Sequence, residues 1–479
     1  MHRHRSIVWF RQDLRLHDNE ALTNALSHSQ EVIPVFVFDP RVFQGTTDKY
    51  GFPKTGRYRA RFILESVADL RASLKKLGSE LIIRIGKPEE VIFELARQCR
   101  TSWVFCNRER TQEEMDVQDA LEQNLWSIGQ EIRYSRGKML YYTADLPFPV
   151  TQTPDIFTQF RKEVERFVKV REPLPAPDKK FPPLTVALDA GNVPTLEDFG
   201  HESFDHDPRG VLPFQGGERE GIRRLRHYLW DTDHAATYKE TRNGLIGADY
   251  STKFSPYLAQ GCLSPKMIYW ELKKYEQERV KNKSTYWIFF ELLWRDFFRL
   301  MGKKYGNRIF LKGGTRREVD PRWREDQRLL ELWIEGRTGV PFIDANMREI
   351  ELTGFMSNRG RQNVASFLVK DLRVNWQMGA EYFESLLIDY DPCSNWGNWN
   401  YVAGVGSDPR ENRYFNILTQ AKRYDPKGEY VKHWLPELSD LPQEKIHRPD
   451  TLSFKEQNIY HLKLGADYPK AMINTAKWV

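Results

Sequence analysis

Four segments in the second half of the chain concentrate residues able to do chemistry. The first is Asp249-Tyr-Ser-Thr-Lys-Phe-Ser-Pro256. Ser251, Thr252, Lys253 and Ser255 lead into a helix-start signal there, with Ser255 at the N-cap and Pro256 at the first helical position. Free backbone N–H groups and hydroxyls at such a start make an anion site suited to a diphosphate; an ordinary capped loop has the same composition. The second, residues 287–298, is aromatic-rich and helical in pattern. Glu291 and Arg295 stand four apart in it and Trp294 three from Glu291, so all fall near one face. A surface ion pair is the ordinary explanation. The apolar flanks leave little solvated face, and a charged pair in that setting wants a polar ligand. The third, residues 353–363, puts Asn358, Arg361, Gln362 and Ala365 on one helix face and points Arg359 elsewhere, where it can meet phosphate. The fourth, residues 387–401, sends Asp389 and Asp391 from the end of a helix into a loop rich in Asn and Trp. Paired carboxylates serve acid–base work or a hard cation. A cation wants more oxygen ligands nearby, and an Arg361–Asp389 pair is the better reading, because a buried Arg needs a carboxylate. Asn and Trp around a planar heterocycle supply hydrogen bonds and stacking area.

Two frameworks must position these segments. Over roughly the first 140 residues, short apolar runs at 6–10, 32–38, 81–85, 103–106 and 131–135 alternate with helical patterns at 57–77, 88–98 and 112–128. Thr111 and Glu114 form a capping-box signature at the third. Such alternation predicts an α/β domain with a parallel, Rossmann-like sheet covered on both faces. Ligands of such sheets sit at the carboxyl ends of the strands. No GxGxxG follows the first strand and no GxxxxGK[ST] occurs, so the usual phosphate cradles are missing. Residues 141–215 are broken by prolines, with one helical stretch at 155–168, and read as an interdomain linker. Residues 216–479 are all-α in pattern, with helices expected at 218–230, 265–278, 286–305, 326–335, 342–353, 358–372 and 380–388. Ser264-Pro265 supplies an N-cap and N1 pair.

Composition narrows the function classes. The 479 residues suffice for two or three domains. Fourteen Trp, 21 Tyr and 28 Phe fill a helical core, and some of these rings are available to stack on a planar ligand or on bases. A formal charge of +6 permits a local basic groove. Cys99, Cys106, Cys262 and Cys393 form no CxxC, which argues against a disulfide framework or zinc site and for buried thiols. His201 and His206 are read as non-metal residues, and no metal is expected. With no apolar run long enough for a membrane span and no signal-peptide pattern at MHRHRSIVWF, the protein is expected to be soluble, cytoplasmic and monomeric.

TGFMSNRGRQNVASFL, LIDYDPCSNWGNWNY, FELLWRDFFR and the N-terminal WFRQDLRLHDN resemble the photolyase/cryptochrome family, and in detail its cryptochrome DASH branch. The match runs over nearly the whole chain in the family's order: an α/β antenna domain (1–140), a linker (141–215) and an all-α FAD-binding domain (216–479). The resemblance implies non-covalent FAD bordered by Tyr238, Ser251, Thr252, Lys253, Phe254 and Ser255. It places Glu291, Trp294 and Arg295 along the wall and Asn358 and Arg361 beneath. It also implies that Asp389 pairs with Arg361, that Asp391 sits near the ribityl chain or the ring, and that Asn395 faces flavin N5. An amide there brings no like charge to a reduced anionic flavin. It implies an electron relay through Trp399, Trp376 and Trp323. It implies light-driven electron transfer to cyclobutane pyrimidine dimers flipped out of DNA. Glu291, Trp294 and Asn358 would contact the lesion, and Arg359 and Arg413 the phosphates. Gln362 and Tyr401 stand where duplex-repairing relatives usually carry Met and Trp. The pocket is then more polar, and single-stranded or looped DNA is the expected substrate. Glu109, in Asn107-Arg-Glu109, resembles the family's contact to a methenyltetrahydrofolate antenna. The alternative is a photoreceptor or DNA-binding transcriptional regulator with little repair activity; intact Glu291, Trp294 and Asn358 favour the photolyase reading.

Overall fold

The computed structural model describes residues 4–317, 319–408, 410 and 413–478. Met1–Arg3 of the N-terminal segment lie outside the described residues. Five strands form where the apolar runs predict them: β1 Arg5–Phe10, β2 Glu31–Phe38, β3 Ile82–Ile85, β4 Trp103–Asn107 and β5 Glu131–Ser135. They make one parallel sheet in the order β3-β2-β1-β4-β5. Pro34 has no N–H to give, and it lies one residue before β3 joins β2 at Val35.

Alternation along the strands divides the sheet's side chains between two cores. Ile7, Trp9, Ile33, Val35 and Val37 pack under α3 (Pro88–Cys99) and α4 (Gln112–Trp126). Val8, Phe10, Val32, Phe36 and Phe38 pack under α1 (Glu20–His28) and α2 (Arg57–Lys76). The second core does not stop at the sheet domain. It continues into Leu225, Tyr228, Leu263, Leu272 and Phe297 of the helical half. Between the two runs a proline-rich stretch carrying α5 (Phe157–Phe167).

The helical half contains α6 (Glu218–Arg226), α7 (Ser255–Ala259), α8 (Pro265–Glu278), α9 (Lys283–Tyr305), α10 (Gln327–Ile334), α11 (Pro341–Thr353), α12 (Asn358–Ser366), α13 (Trp376–Leu386) and α14 (Pro392–Ala403), with shorter turns between them. Trp333, Trp376 and Trp399 belong to its own buried core. All four cysteines are free and buried. Among the described residues, no helix is long and apolar enough to cross a membrane.

Three local expectations are corrected. Thr111 is the N-cap of α4, but its hydroxyl bonds the Glu114 carboxylate at 2.9 Å and caps no backbone N–H. Glu114 is drawn instead to Gln12 across the domain. Phe254, not Ser255, is the N-cap of α7, because Lys253 takes a left-handed φ of 58° and starts the turn one residue early. The Asn- and Trp-rich segment after Asp391 is helix α14, not a loop. Asp391 caps it by accepting from Ser394 N at 2.8 Å, and Pro392 opens it.

The WFRQDLRLHDN segment leaves β1 and forms the seam between the halves. Arg15 is fully buried and donates to the carbonyls of His17, Asp18, Gly137 and Gly261. Asp18 pairs with Lys266 at 2.7 Å, and Glu218 accepts from the amides of Leu16 and His17. Gly261 has a φ of 69°, and a Cβ there would lie 2.2 Å from the Gln12 carbonyl oxygen. Gly261→Ala is therefore expected to destabilise the fold by about 1–3 kcal/mol, read as a lowered denaturation midpoint.

Candidate functional site

The starts of α12 and α14 converge on a cavity with about 600 Å³ of space not filled by protein atoms, part of it open to solvent. Asn358, Arg361, Gln362 and Ala365 line it from α12, and Asn395, Asn398 and Trp399 from α14, with Asp389, Tyr390 and Asp391 between. Ser357 caps α12 by accepting from Gly360 N at 2.9 Å. Gly360 lets α12 lie against α11, since a Cβ there would sit 2.0 Å from Asn346 Oδ1. Two of the polar segments singled out by spacing thus meet in space.

The Arg361–Asp389 pair forms at 2.9 Å, and Arg361 also donates to the Met356 carbonyl. The other carboxylate oxygen of Asp389 is buried without a partner. Asp391 reaches Arg299 at 2.7 Å, and Arg299 reaches Glu109 at 3.3 Å. Glu109 also binds Lys138. Burial alone would raise the Glu109 carboxyl, but Lys138 and Arg299 hold it down at about 2. Burial opposes ionisation of Asp391 too, and Arg299 with Arg295 keeps it below the usual carboxylate range. Glu109 is 3 % exposed and both its oxygens are engaged, so a pterin would have to share it.

Arg224 fixes the 249–255 segment by donating to the carbonyls of Ala248, Ser251 and Thr252 and to Asp249. Lys253 is 2 % exposed, bonds Ser251 Oγ at 2.9 Å and lies over the Tyr250 ring. Burial, aided by Arg224, pulls its ammonium well below the usual range. Lys253 and Arg361 both flank the Phe355 ring, which joins this loop to the cavity.

Glu291 and Arg295 do not pair. Glu291 binds Arg242 at 2.5 Å, and Arg295 turns to the carbonyls of Lys138 and Leu258. Each finds its polar partners off α9, so the i,i+4 contact is not needed. Burial pushes the Glu291 carboxyl up, against the pull of Arg242. Arg242 also lies over Tyr238 and Trp287. Trp294 stacks on Phe157 at 3.7 Å and 8°, and its edge meets Tyr401. Arg359 donates to Gln362 and to Asn243 and covers Tyr424. Arg413 donates to Tyr401 at 2.8 Å but is also paired with Asp408. Trp399 packs on Phe383 and over Gly379 of α13, whose first residue is Trp376. Trp323 lines a separate surface cavity with Lys370, Arg373 and Tyr414.

Two family models match the chain: "DNA photolyase" over residues 6–178 and "FAD binding domain of DNA photolyase" over residues 287–478. Cryptochrome DASH of Synechocystis is 52% identical over 98% of this chain and 95% of its own length, and that of Xenopus laevis 51% over 98% and 90%. The chain belongs to the cryptochrome DASH branch of the photolyase/cryptochrome family. The crystal structure of a Synechocystis cryptochrome superposes with a TM-score of 0.96 at 50% identity, covering 100% of this chain and 98% of that one. A class III photolyase from Agrobacterium tumefaciens gives 0.85 at 27% identity, covering 100% and 96%. The family assignment makes the chain a flavoprotein with an FAD-binding domain.

The residues present fit FAD. The cavity offers an unpartnered buried carboxylate oxygen on Asp389, amides on Asn358 and Asn395, and aromatic area on Trp399. Lys253, buried without a carboxylate within ion-pair distance among the described residues, suits a diphosphate. Arg242, Arg299 and Lys138 were missed from the sequence. Arg299 had a signal, being the third charge at four-residue spacing on α9 after Glu291 and Arg295. Arg242 and Lys138 sit in segments with no periodic pattern.

Arg299→Met leaves Glu109 and Asp391 buried without their shared partner and is expected to cost about 3–5 kcal/mol, measured by denaturant unfolding. Because Glu109 is held at about 2 when folded, against an ordinary value of 4.5, its contribution is whole above pH 4.5 and fades as pH falls toward 2. An acid titration of the unfolding midpoint is expected to show that loss, blunted in Glu109→Gln.

Proposed function

We propose that this chain is a photolyase that repairs cyclobutane pyrimidine dimers in single-stranded or looped DNA under blue light. What supports this reading is the polar cavity of Asn358, Arg361, Asp389 and Asn395 together with Trp294 of α9, which meets Tyr401 of α14, the helix that lines that cavity. Reduced FAD, when bound, supplies the light absorption and the one electron that opens the dimer. The chain's own residues bind, orient and donate. Lys253 and the hydroxyls of Ser251, Thr252 and Ser255 hold the diphosphate, while Asn358, Arg361, Asp389, Asp391 and Asn395 fix the rings and ribityl chain. Tyr238, Phe254 and Arg295 close the wall. The raised Glu291 carboxyl suits a hydrogen-bond or proton donor to a pyrimidine carbonyl.

The preference for single strands rests on Gln362 and Tyr401. Each holds an arginine, Arg359 and Arg413 respectively, instead of offering a large apolar face. A pocket of that kind contributes less to the few kcal/mol that extruding a dimer from a duplex requires. Arg359, whose hydrogen-bond partners among the described residues are neutral, is the better phosphate contact of the two, since Asp408 neutralises Arg413. Trp399, Trp376 and Trp323 form the relay that re-reduces the cofactor.

The same reading takes methenyltetrahydrofolate as the antenna, with Glu109 sharing its engaged carboxylate with the pterin. Arg108, Arg110, Arg136 and Lys303 crowd that side of the seam. Burial with Arg299 and Arg136 brings Arg110 down to about 10, and burial with Arg110 and Arg136 brings Lys303 down to about 8. The carboxylates of a folate tail relieve that repulsion.

Blue light on the protein with reduced flavin is expected to restore thymine absorbance in a dimer-containing single strand faster than in the same sequence as duplex. Equal rates remove the single-strand preference, and no recovery on either removes the repair reading. Glu291→Ala is expected to lower the repair yield about tenfold, the loss of one hydrogen bond to a charged or polarised group.

A further inference from the structure

Tyr390 stands between Asp389 and Asp391 and lines the same cavity, yet none of the roles above uses it. Three groups hold it. The Arg59 guanidinium of α2 lies over its ring at 4.8 Å. Trp396 Nε1 donates to its hydroxyl oxygen at 3.3 Å. The Glu384 carboxylate of α13 acts on the same hydroxyl and helps to raise it. Trp396 in turn meets Trp376 edge to face, with ring centroids 5.7 Å apart. A continuous series therefore runs from the cavity through Tyr390 and Trp396 to Trp376 without involving Trp399.

The chemistry of a phenol decides what such a series can carry. Oxidation that leaves the proton in place would create a cation beneath Arg59, and charge repulsion opposes it. Oxidation with loss of the proton creates a neutral radical and needs a base on the hydroxyl. Glu384 is that base. Burial pushes its carboxyl up, so it takes a proton more readily than an exposed glutamate. Burial also raises the Tyr390 phenol well above its ordinary value, so the proton is in place at rest.

We propose that Tyr390 is a second electron donor to the flavin of this cavity, that Glu384 accepts its proton, and that Trp396 connects it to Trp376. In this step one electron passes from the Tyr390 ring to the light-excited oxidised flavin. The phenolic O–H bond breaks, an O–H bond forms on Glu384, and a neutral tyrosyl radical remains. A thiol reductant in solution returns the electron, and the proton goes back from Glu384. The proposal rests on the reading of the cavity as an FAD site.

The test is blue illumination of Trp399→Phe protein loaded with oxidised FAD, frozen and read by electron paramagnetic resonance. A tyrosyl signal is expected, absent in W399F/Y390F and reduced at least about tenfold in W399F/E384Q, as for removal of a general base. Flash absorption on protein with Trp399 intact is the second measurement, with a tyrosyl component expected and its loss expected in Tyr390→Phe. Flavin-loaded protein with no tyrosyl signal by either method, or a signal that survives Tyr390→Phe, overturns the proposal. Failure of the unaltered protein to take up FAD overturns the reading of the cavity instead.

Discussion

Arg299 holds two buried carboxylates that come from different halves of the chain, Glu109 after β4 and Asp391 at the cap of α14. Lys138 closes the series on the far side of Glu109. Four buried charges of alternating sign stand in a row. Each alone is costly to bury, and each is offset by its neighbours. The cap of α14 is a member of this row, so the direction of α14 is tied to the sheet domain. Asn395, Asn398 and Trp399 face the cavity because Asp391 is anchored there.

The seam around Arg15 serves the same end by neutral means. Backbone carbonyls from both halves meet one guanidinium, and Asp296 on α9 takes the amides of Leu140 and Tyr141. The long helix that carries Glu291 and Trp294 is thus fixed to the segment leaving β5. The hydrophobic core crosses the same boundary. Separate folding units joined by a loose tether would not hold α9 and α14 in register.

Much of this was legible in the sequence. All five strands stood out because buried parallel strands are continuous apolar runs, and the major helices because their apolar spacing is regular. The Arg361–Asp389 pair followed from a buried Arg needing a carboxylate. The start of α14 was written in Asp391-Pro392, the same pattern as Ser264-Pro265, but the Asn and Trp content drew the reading toward a loop. What spacing along one helix does not encode is the choice between a neighbour on that helix and one on another. Glu291 is four residues from Arg295, yet Arg242 is its partner. The chemistry of the four segments indicated a polar cavity, and only the family resemblance gave its ligand a name.

The stretch between the domains does more than join them. Phe157, on its one long helix, covers a face of Trp294. The wall beside Glu291 is therefore completed by a segment that belongs to neither framework, while the cavity of Arg361, Asp389 and Asn395 is built without it. A protease nick in the proline-rich chain that let this helix lift away would separate two properties that otherwise travel together. On the function proposed above, the cofactor would stay bound and coloured, and the grip on an extruded base would be lost.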